Sequence, residues 1–311
     1  MKENKSVPER VIRATRHKII VILGTTSSGK TKLAVRLAKK FKGEIISADS
    51  RQVYRGMDVG SGKDLAEYGE VKYHLIDIVS PKKDFSVALW QRLAYQKIDD
   101  IIKRGKLPIV CGGTGLYISA LTQGYIMPAE TNGDKAIRTK LNRKSLKQLL
   151  NQLKKVDLKT YQIIDRNNRR RVQRALEIYY QAGSPKSKAV SKVKPDLDFL
   201  KIGLTFPREI LNQRIVKRLK ARLEKEGMVE EVKKLHRSGV SWKKLEMFGL
   251  EYRFVAQYLQ GQLTYQVMEE NLAKAIKDFA KRQMTWFKRD QEINWIKNYS
   301  QALELAEKFI K

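Results

Sequence analysis

Residues 24–31 have the types and spacing of a phosphate-binding loop. They match the pattern G-x-x-x-x-G-K-[ST] in full. The glycines let backbone N–H groups turn towards phosphate oxygens, Lys30 supplies a full positive charge, and the Thr31 hydroxyl can ligate magnesium. This pattern predicts a diphosphate ligand with Mg²⁺ as cofactor, and the alternative is a turn that only connects strand to helix. The predicted diphosphate-binding residues are Gly24, Thr25, Thr26, Ser27, Ser28, Gly29, Lys30 and Thr31.

A second polar segment, residues 49–60, follows a strand predicted for residues 44–48. Open α/β sheets bind their ligands at the carboxyl ends of the strands, so we expect Asp49 to face the phosphate site. Its carboxylate could hold magnesium through water, accept a proton, or cap the following helix. The residues alone leave these three roles open.

Strands and helices alternate through the first part of the chain. Apolar runs at 18–23, 44–48, 73–78 and 107–111 predict strands, and helical spacing over 30–41 and 86–104 predicts helices between them. Alternation of this kind is typical of a parallel sheet with crossover helices. We therefore predict an α/β fold with a P-loop NTPase-like core.

The pattern changes after Gly124. We predict a core segment at 1–124, a helical insertion at 125–200, and a segment at 201–311 that completes the core. In that last segment, residues 201–206 are expected to return to the sheet, and everything from Arg208 onwards is expected to be helical.

The charge of the chain predicts a polyanionic partner. Lys and Arg number 64 against 33 Asp and Glu, giving a net charge of +31 and a pI near 10.1. Residues 138–174 alone contain 13 basic and 2 acidic residues, a net charge of +11. A helical face so charged repels itself unless a polyanion neutralises it, and the alternative is a solvated surface.

Several classes of protein are excluded by composition. No apolar run approaches the roughly 20 residues that span a bilayer, and no signal peptide is expected, so we predict a cytoplasmic protein without membrane contact. Cys111 is the single cysteine, which excludes a disulfide framework and a cysteine-based zinc site. Any metal must therefore be held by oxygen.

Two functions other than group transfer from a diphosphate fit a phosphate loop in a basic chain. One is a small-molecule kinase, and the other is an ATPase that binds RNA. A nucleotide kinase or GTPase usually has an acidic residue after a later strand that holds magnesium, and a lid rich in arginine, and neither is clear in this sequence.

Seven segments together carry a family resemblance. They are GTTSSGKT (24–31), DSRQVYRGMDVGSGK (49–63), YHLIDIVSP (73–81), GGTGLY (112–117), NNRRRVQRALEIY (167–179), GLEYR (249–253) and AKRQMTWFKRD (280–290). Because these segments occur in the family's order, the chain resembles the tRNA dimethylallyltransferase family, whose members are also called tRNA isopentenyltransferases. The resemblance covers nearly the whole chain. The sequence departs from the family pattern mildly at Arg51 and at residues 60–63, and more strongly between residues 125 and 165.

The resemblance implies a reaction. A dimethylallyl group would pass from dimethylallyl diphosphate to the exocyclic amine of the adenosine 3′-adjacent to the anticodon of a tRNA, releasing pyrophosphate. Asp49 would act as the base, Thr114 would lie in the reaction channel, and Lys30 would neutralise the departing diphosphate. The family's diphosphate-binding arginine corresponds to Arg218. Arg222 is the alternative, because the spacing from Arg218 to Gly227 is one residue longer than the family pattern.

The resemblance also implies tRNA contacts. The insertion would grip the anticodon stem-loop, and residues 49–52 would surround the target base. A monomer is expected. The predicted tRNA-binding residues are Asp49, Ser50, Arg51, Gln52, Thr114, Arg138, Arg170, Arg171, Val172, Gln173 and Arg174.

Overall fold

A computed structural model describes residues 16–126, 132–185 and 192–311 of the chain. Within these residues, one sheet has the strand order β3-β2-β4-β1-β5-β6, and every neighbouring pair is parallel. The predicted α/β class with a parallel sheet is confirmed. The strands are β1 (His17–Gly24), β2 (Gly43–Ser47), β3 (Tyr73–His74), β4 (Leu107–Gly112), β5 (Leu197–Leu204) and β6 (Ile293–Ile296).

No helix among the described residues is long and apolar enough to cross a bilayer. The helices form where apolar residues recur at helical spacing. In chain order they are α1 (Lys30–Phe41), α2 (Val87–Lys103), α3 (Gly115–Thr122), α4 (Asn132–Asn142), α5 (Leu146–Val156), α6 (Leu158–Ile163), α7 (Arg169–Ala182), α8 (Arg208–Glu224), α9 (Met228–Arg237), α10 (Trp242–Met247), α11 (Leu250–Leu259), α12 (Tyr265–Phe287) and α13 (Tyr299–Ile310).

Helix α1 has the bounds that its sequence predicts. Its apolar residues recur on one face and pack on the sheet, while Lys39 and Lys40 lie in the last turn, where the helix dipole favours positive charge. The same core includes one face of β1 and its neighbours. This cluster contains Ile20, Ile22, Leu33, Leu37, Ile45, Ile109 and Ile202, with Ala302 and Ala306 of α13.

Two sequence-based expectations about strands were wrong. The strand predicted for residues 73–78 ends at His74, because Leu75 and Asp77 have φ of 63° and 56° and cannot continue an extended chain. The segment after Arg208 is not all helical, because β6 pairs with β5 at the edge of the sheet. Strand β6 was missed because it has only four residues.

The described residues form two compact units. The first comprises residues 16–84, 96–115 and 196–311, and the second comprises 85–95 and 116–195 except for the undescribed residues. The predicted division at residues 124 and 200 stays a prediction. In the second unit, α5 begins with a capping box formed by Ser145 and Gln148. The core of that unit contains Leu141, Leu149, Leu153, Val172, Ala175 and Leu176.

Candidate active site at the phosphate loop

The loop between β1 and α1 has the backbone that phosphate binding requires. Ser27 and Gly29 have φ of 60° and 82°, in the left-handed region. A side chain on Gly24 would meet Ser28 Oγ at 2.8 Å and the Leu204 carbonyl oxygen at 3.2 Å, so only glycine fits there. Ser28 Oγ is buried and has no hydrogen-bond partner among the described residues. The loop leads directly into the N-terminus of α1, and the backbone N–H groups of a helix N-terminus favour an anion.

Lys30 lies at the start of α1 with its ammonium turned back towards the loop. Its Nζ donates to the Thr25 carbonyl oxygen at 3.3 Å. Burial lowers the pKa of Lys30, the negative charge of Asp49 opposes that shift, and the positive charge of Arg218 adds to it. An anion bound beside Lys30 would relieve both the desolvation and the repulsion. Thr31, the predicted magnesium ligand, is the next residue of α1 and is half-buried.

Asp49 and Thr114 follow the carboxyl ends of two neighbouring strands, β2 and β4. The Ser50 amide donates to Thr114 Oγ1 at 3.0 Å, and the Thr114 amide donates to the Ala48 carbonyl oxygen at 3.2 Å. Asp49 Oδ1 accepts the Arg51 amide at 2.8 Å, which fixes the orientation of the carboxylate. The sheet thus holds Asp49 and Thr114 at the same edge as the phosphate loop.

Gln283 joins the phosphate loop to the glycines before Thr114. Its Oε1 accepts the Thr26 amide at 2.9 Å, and its Nε2 donates to the Gly113 carbonyl oxygen at 2.8 Å. The side chain is buried, and a Cβ on Gly113 would lie only 2.7 Å from it. Sequence reasoning did not assign Gln283 to the site. The one available signal was its place in the segment AKRQMTWFKRD.

Gln52 and Arg51 are placed differently although they are adjacent. Gln52 is buried: Ser47 Oγ donates to its Oε1 at 2.7 Å, and its Nε2 donates to the Gly62 carbonyl oxygen at 3.0 Å. The Arg51 guanidinium donates to the Met247 carbonyl oxygen at 3.5 Å and is more accessible. Both side-chain polar groups of Gln52 are thus used inside the protein, and its predicted tRNA contact stays a prediction.

Both candidate arginines of α8 lie at Gly62. A Cβ on that glycine would overlap NH2 of Arg222 and lie 2.8 Å from NH2 of Arg218. Arg218 forms an ion pair with Asp64. Arg222 is 6% exposed, and its Nε and NH2 have no hydrogen-bond partner among the described residues. We call Arg218 and Arg222 the arginine pair.

Glu251 lies near the arginine pair and is also shifted by burial. Burial raises the pKa of the Glu251 carboxyl, and the positive charge of Arg222 lowers it. Burial in turn lowers the pKa of Arg222, and the like charge of Arg218 lowers it further. Two guanidinium groups thus lie at Gly62, and among the described residues only Asp64 forms a direct ion pair with either of them.

The loop of residues 57–63 is held to the core by charged side chains. The Glu231 carboxylate accepts the amides of Asp58, Val59 and Gly60 at 2.6–3.1 Å and the Tyr252 hydroxyl at 2.8 Å. Sequence reasoning missed this role for Glu231, because the partners lie about 170 residues apart and share no local pattern.

Lys63 ties the other end of this loop. It is 1% exposed, pairs with Asp58 and Asp77, and donates to the Tyr54 carbonyl oxygen at 2.8 Å. With both ends fixed, the position of Gly62 beside the arginine pair is fixed too.

In the second unit, three of the predicted tRNA-binding side chains gather around Glu177, which is buried. Arg138 and Arg174 form ion pairs with it at 3.3 and 3.0 Å, and Gln173 donates to it at 3.2 Å. Burial of a carboxylate is tolerated because these donors compensate it. These three side chains therefore also stabilise the unit.

The remaining predicted residues of α7 are divided between solvent and core. Arg170 and Arg171 are exposed, as a contact with a polyanion requires. Val172 is fully buried in the hydrophobic core of the unit. The structure gives no support to the predicted tRNA contact of Val172, because its side chain does not reach the surface.

The fold and the loop together define a P-loop α/β protein. A model of the family described as IPP transferase matches residues 52–290, and one described as isopentenyl transferase matches residues 17–72. The chain belongs to this family of tRNA isopentenyltransferases, which confirms the resemblance noted in its sequence.

Individual relatives agree with the family assignment. The tRNA dimethylallyltransferase 1 of Geotalea uraniireducens is 44% identical over 94% of this chain and 97% of its own length. The tRNA dimethylallyltransferase 2 of Citrifermentans bemidjiense is 43% identical over 99% of both chains.

Two solved structures have the same fold. The tRNA isopentenylpyrophosphate transferase of Staphylococcus epidermidis superposes with a TM-score of 0.68 at 35% identity, over 95% of this chain and 99% of that one. A eukaryotic dimethylallyltransferase acting on tRNA gives a TM-score of 0.76 at 28% identity, over 94% of this chain and 77% of that one.

Proposed function

We propose that this chain transfers a dimethylallyl group from dimethylallyl diphosphate to the exocyclic amine of the adenosine 3′-adjacent to the anticodon in tRNA. The relatives named tRNA dimethylallyltransferase support this activity. One structural observation carries the proposal. The phosphate loop, Asp49 and Thr114 lie at the same edge of the sheet, after β1, β2 and β4, and hydrogen bonds of Gln283 and Thr114 hold them together.

The phosphate loop and nearby cations receive the leaving group. The amine nitrogen attacks the first carbon of the donor, the carbon–oxygen bond breaks, and its electron pair leaves with pyrophosphate. The loop amides, Lys30 and Arg218 neutralise the charge that develops on the bridging oxygen. The lowered pKa of Lys30 supports this role, because a buried ammonium gains most from an anionic partner.

Asp49 accepts the proton that the attacking amine loses. Its carboxylate also orients the amine lone pair towards the first carbon of the donor, as a general base does. The hydrogen bond from the Arg51 amide leaves the second carboxylate oxygen for this task. Thr114 Oγ1 accepts the Ser50 amide and so positions the backbone that follows Asp49.

Magnesium would be held by Thr31 together with the diphosphate itself. The described residues contain no group of three or more His, Cys, Asp or Glu that could hold a metal ion. The Thr31 hydroxyl and diphosphate oxygens fit Mg²⁺, because this ion usually keeps several waters and is bound through substrate phosphates and few protein groups. When bound, Mg²⁺ supplies positive charge that stabilises the departing pyrophosphate.

The tRNA contacts include residues of both units. In the first, we assign Asp49, Ser50 and Arg51 to the surroundings of the target adenosine. In the second, the exposed Arg170 and Arg171 are suited to backbone phosphates, and Arg138, Gln173 and Arg174 support them from Glu177. The monomeric state and the cytoplasmic location stay predictions from the sequence.

One incubation separates this activity from a kinase or an RNA-binding ATPase. The purified protein is supplied with dimethylallyl diphosphate, ATP, Mg²⁺ and bulk tRNA, and the nucleosides are analysed by mass spectrometry. We expect dimethylallyl adenosine and unconsumed ATP. Consumption of ATP without prenylated nucleoside would overturn the proposal.

A further inference from the structure

Arg222 carries a buried charge that the described residues do not fully satisfy. Among the described residues, four buried side-chain polar atoms lack a hydrogen-bond partner, and two of them are Nε and NH2 of Arg222. The others belong to the uncharged side chains of Ser28 and Gln152. A buried donor without an acceptor destabilises a fold, and a buried charge does so more. Such a residue is retained most readily when a ligand completes its surroundings.

The neighbours of Arg222 indicate the sign of that ligand. Arg218 is positively charged and lies with it at Gly62, and the one carboxylate paired directly with either guanidinium among the described residues is Asp64, on Arg218. Glu251 is the other nearby acid, and burial favours its neutral form. The missing partner is therefore an anion.

Arg218 connects Arg222 to the surroundings of the phosphate loop. Arg218 is one of the charged groups around Lys30, and its NH2 lies with that of Arg222 at Gly62. Gly62 makes this arrangement feasible, because any side chain there would overlap the Arg222 guanidinium. An anion bound against Lys30 and Arg218 would thus be felt by Arg222.

We propose that Arg222 is a second arginine of the diphosphate site, kept beside Arg218 without a directly paired carboxylate among the described residues, and that bound diphosphate replaces Asp64 as the countercharge of the arginine pair. This inference rests on the proposed function only for the identity of the anion as the donor's diphosphate. Diphosphate has more charge than one carboxylate, so it neutralises two guanidinium groups where Asp64 neutralises one. Arg222 is a positioning residue in this account, because it acts through the field at Arg218.

The test uses inorganic pyrophosphate, the full chain and no tRNA. Binding is measured by calorimetry in the presence of Mg²⁺ for the wild type, Arg222→Met and Arg222→Lys. We expect Arg222→Met to bind about tenfold to a hundredfold more weakly, and Arg222→Lys to stay within about fivefold because it keeps the charge. The control is Lys220→Met, which removes one exposed charge from the same helix and should stay within about twofold.

Thermal melting separates a ligand site from a structural role. Replacing a buried unpaired charge by an apolar side chain of similar length is often neutral or stabilising. We expect Arg222→Met to melt at or above the wild type without pyrophosphate and to lose most of the stabilisation that pyrophosphate gives the wild type. A purely structural arginine would give the reverse pattern, with a lower melting temperature and an unchanged pyrophosphate affinity, and that result would overturn the proposal.

Asp64→Asn tests the replacement step and serves if Arg222→Met does not fold. Removing the internal countercharge should tighten pyrophosphate binding severalfold, and weaker or unchanged binding would overturn this step. Failure of the proposed function is distinguishable. If the wild type does not prenylate tRNA but the pyrophosphate affinities follow the expected order, the arginine pair stands as an anion site and only the activity is wrong.

Discussion

Two arginine-rich regions of this chain manage their charge in opposite ways. In the first unit, Arg222 is buried without a hydrogen-bond partner among the described residues, and Arg218 is paired with a single carboxylate. In the second unit, Arg138 and Arg174 share the buried carboxylate of Glu177. The first region keeps a buried guanidinium with unpaired donors among the described residues, and the second is neutralised on its inner side by Glu177.

The difference matches the two kinds of anion that the proposal assigns to them. A small diphosphate must be held in one geometry, so its site benefits from fixed, desolvated donors. A tRNA backbone presents many phosphates along a surface, so exposed side chains such as Arg170 and Arg171 suffice and remain screened by salt. Variants in the first region should therefore change catalysis, and variants in the second should change tRNA binding and its salt dependence.

The largest expected effect is that of Asp49→Asn. Asparagine retains an oxygen that accepts the Arg51 amide, so the local turn should persist, but it cannot take the amine proton. We expect kcat to fall by about 10²–10⁴-fold while tRNA affinity changes far less. Steady-state kinetics and a tRNA binding assay measure the two separately. A variant that loses only tRNA binding would assign Asp49 to recognition.

Lys30→Ala should have the next largest effect. Removing a charge aimed at the departing diphosphate costs about 3 kcal/mol of transition-state stabilisation, or more than a hundredfold in turnover. The matched control is Lys32→Ala, because Lys32 is an exposed lysine on the same helix, and its turnover should stay near that of the wild type. Near-normal activity of Lys30→Ala would remove the phosphate loop from the chemistry.

In the second unit, the double variant Arg170→Ala, Arg171→Ala should act on tRNA binding alone. Loss of two phosphate contacts should flatten the slope of log K against log salt by up to roughly two units and raise the KM for tRNA. The KM for dimethylallyl diphosphate should not change. Arg174→Ala is less informative, because it also removes a partner of Glu177.

The control for that experiment is Lys39→Ala, Lys40→Ala, which removes two exposed charges from α1 in the first unit. Binding of tRNA is measured at several salt concentrations for both double variants. If both flatten the slope equally, total charge rather than a specific surface governs tRNA association.

The smallest expected effect belongs to a charged network that includes no residue of either arginine region. Hydrogen bonds from Arg104, together with the His74 ring, lower the pKa of Glu44 to about 2 from its usual 4.5. The stabilisation is fully present above pH 4.5 and is lost as pH falls towards 2. Because Arg104 is partly exposed, we expect Glu44→Gln to lower the free energy of unfolding by about 1 kcal/mol at pH 7. Denaturant unfolding at pH 7 and pH 3 should show this difference shrinking at the lower pH; a constant difference would contradict it.

Local patterns predicted the part of the site that is built locally. The phosphate loop and α1 could be located from residues 24–41 alone, because the motif and the helical spacing are contiguous. The strand at residues 73–78 could not be bounded, since nothing in its apolar pattern indicates the positive φ of Leu75 and Asp77.

Hydrogen bonds between distant segments were the part that sequence did not predict. Gln283 reaches Thr26 across 257 positions, and Glu231 reaches Gly60 across 171. Such pairs depend on how the sheet and helices pack, which no periodicity encodes. Val172 was assigned to tRNA by its place in the basic segment, and the structure places its side chain in the hydrophobic core, because a helix dense in arginine still needs an apolar face to pack.

The loop that carries Gly62 also has a consequence for selectivity among anions. Three successive amides, those of Asp58, Val59 and Gly60, converge on the carboxylate of Glu231. Converging amides of this kind form a concavity in which phosphate groups readily settle. The protein fills this concavity with its own side chain, so a polyphosphate entering the first unit meets one cradle that can receive it, after β1, and one that is already taken.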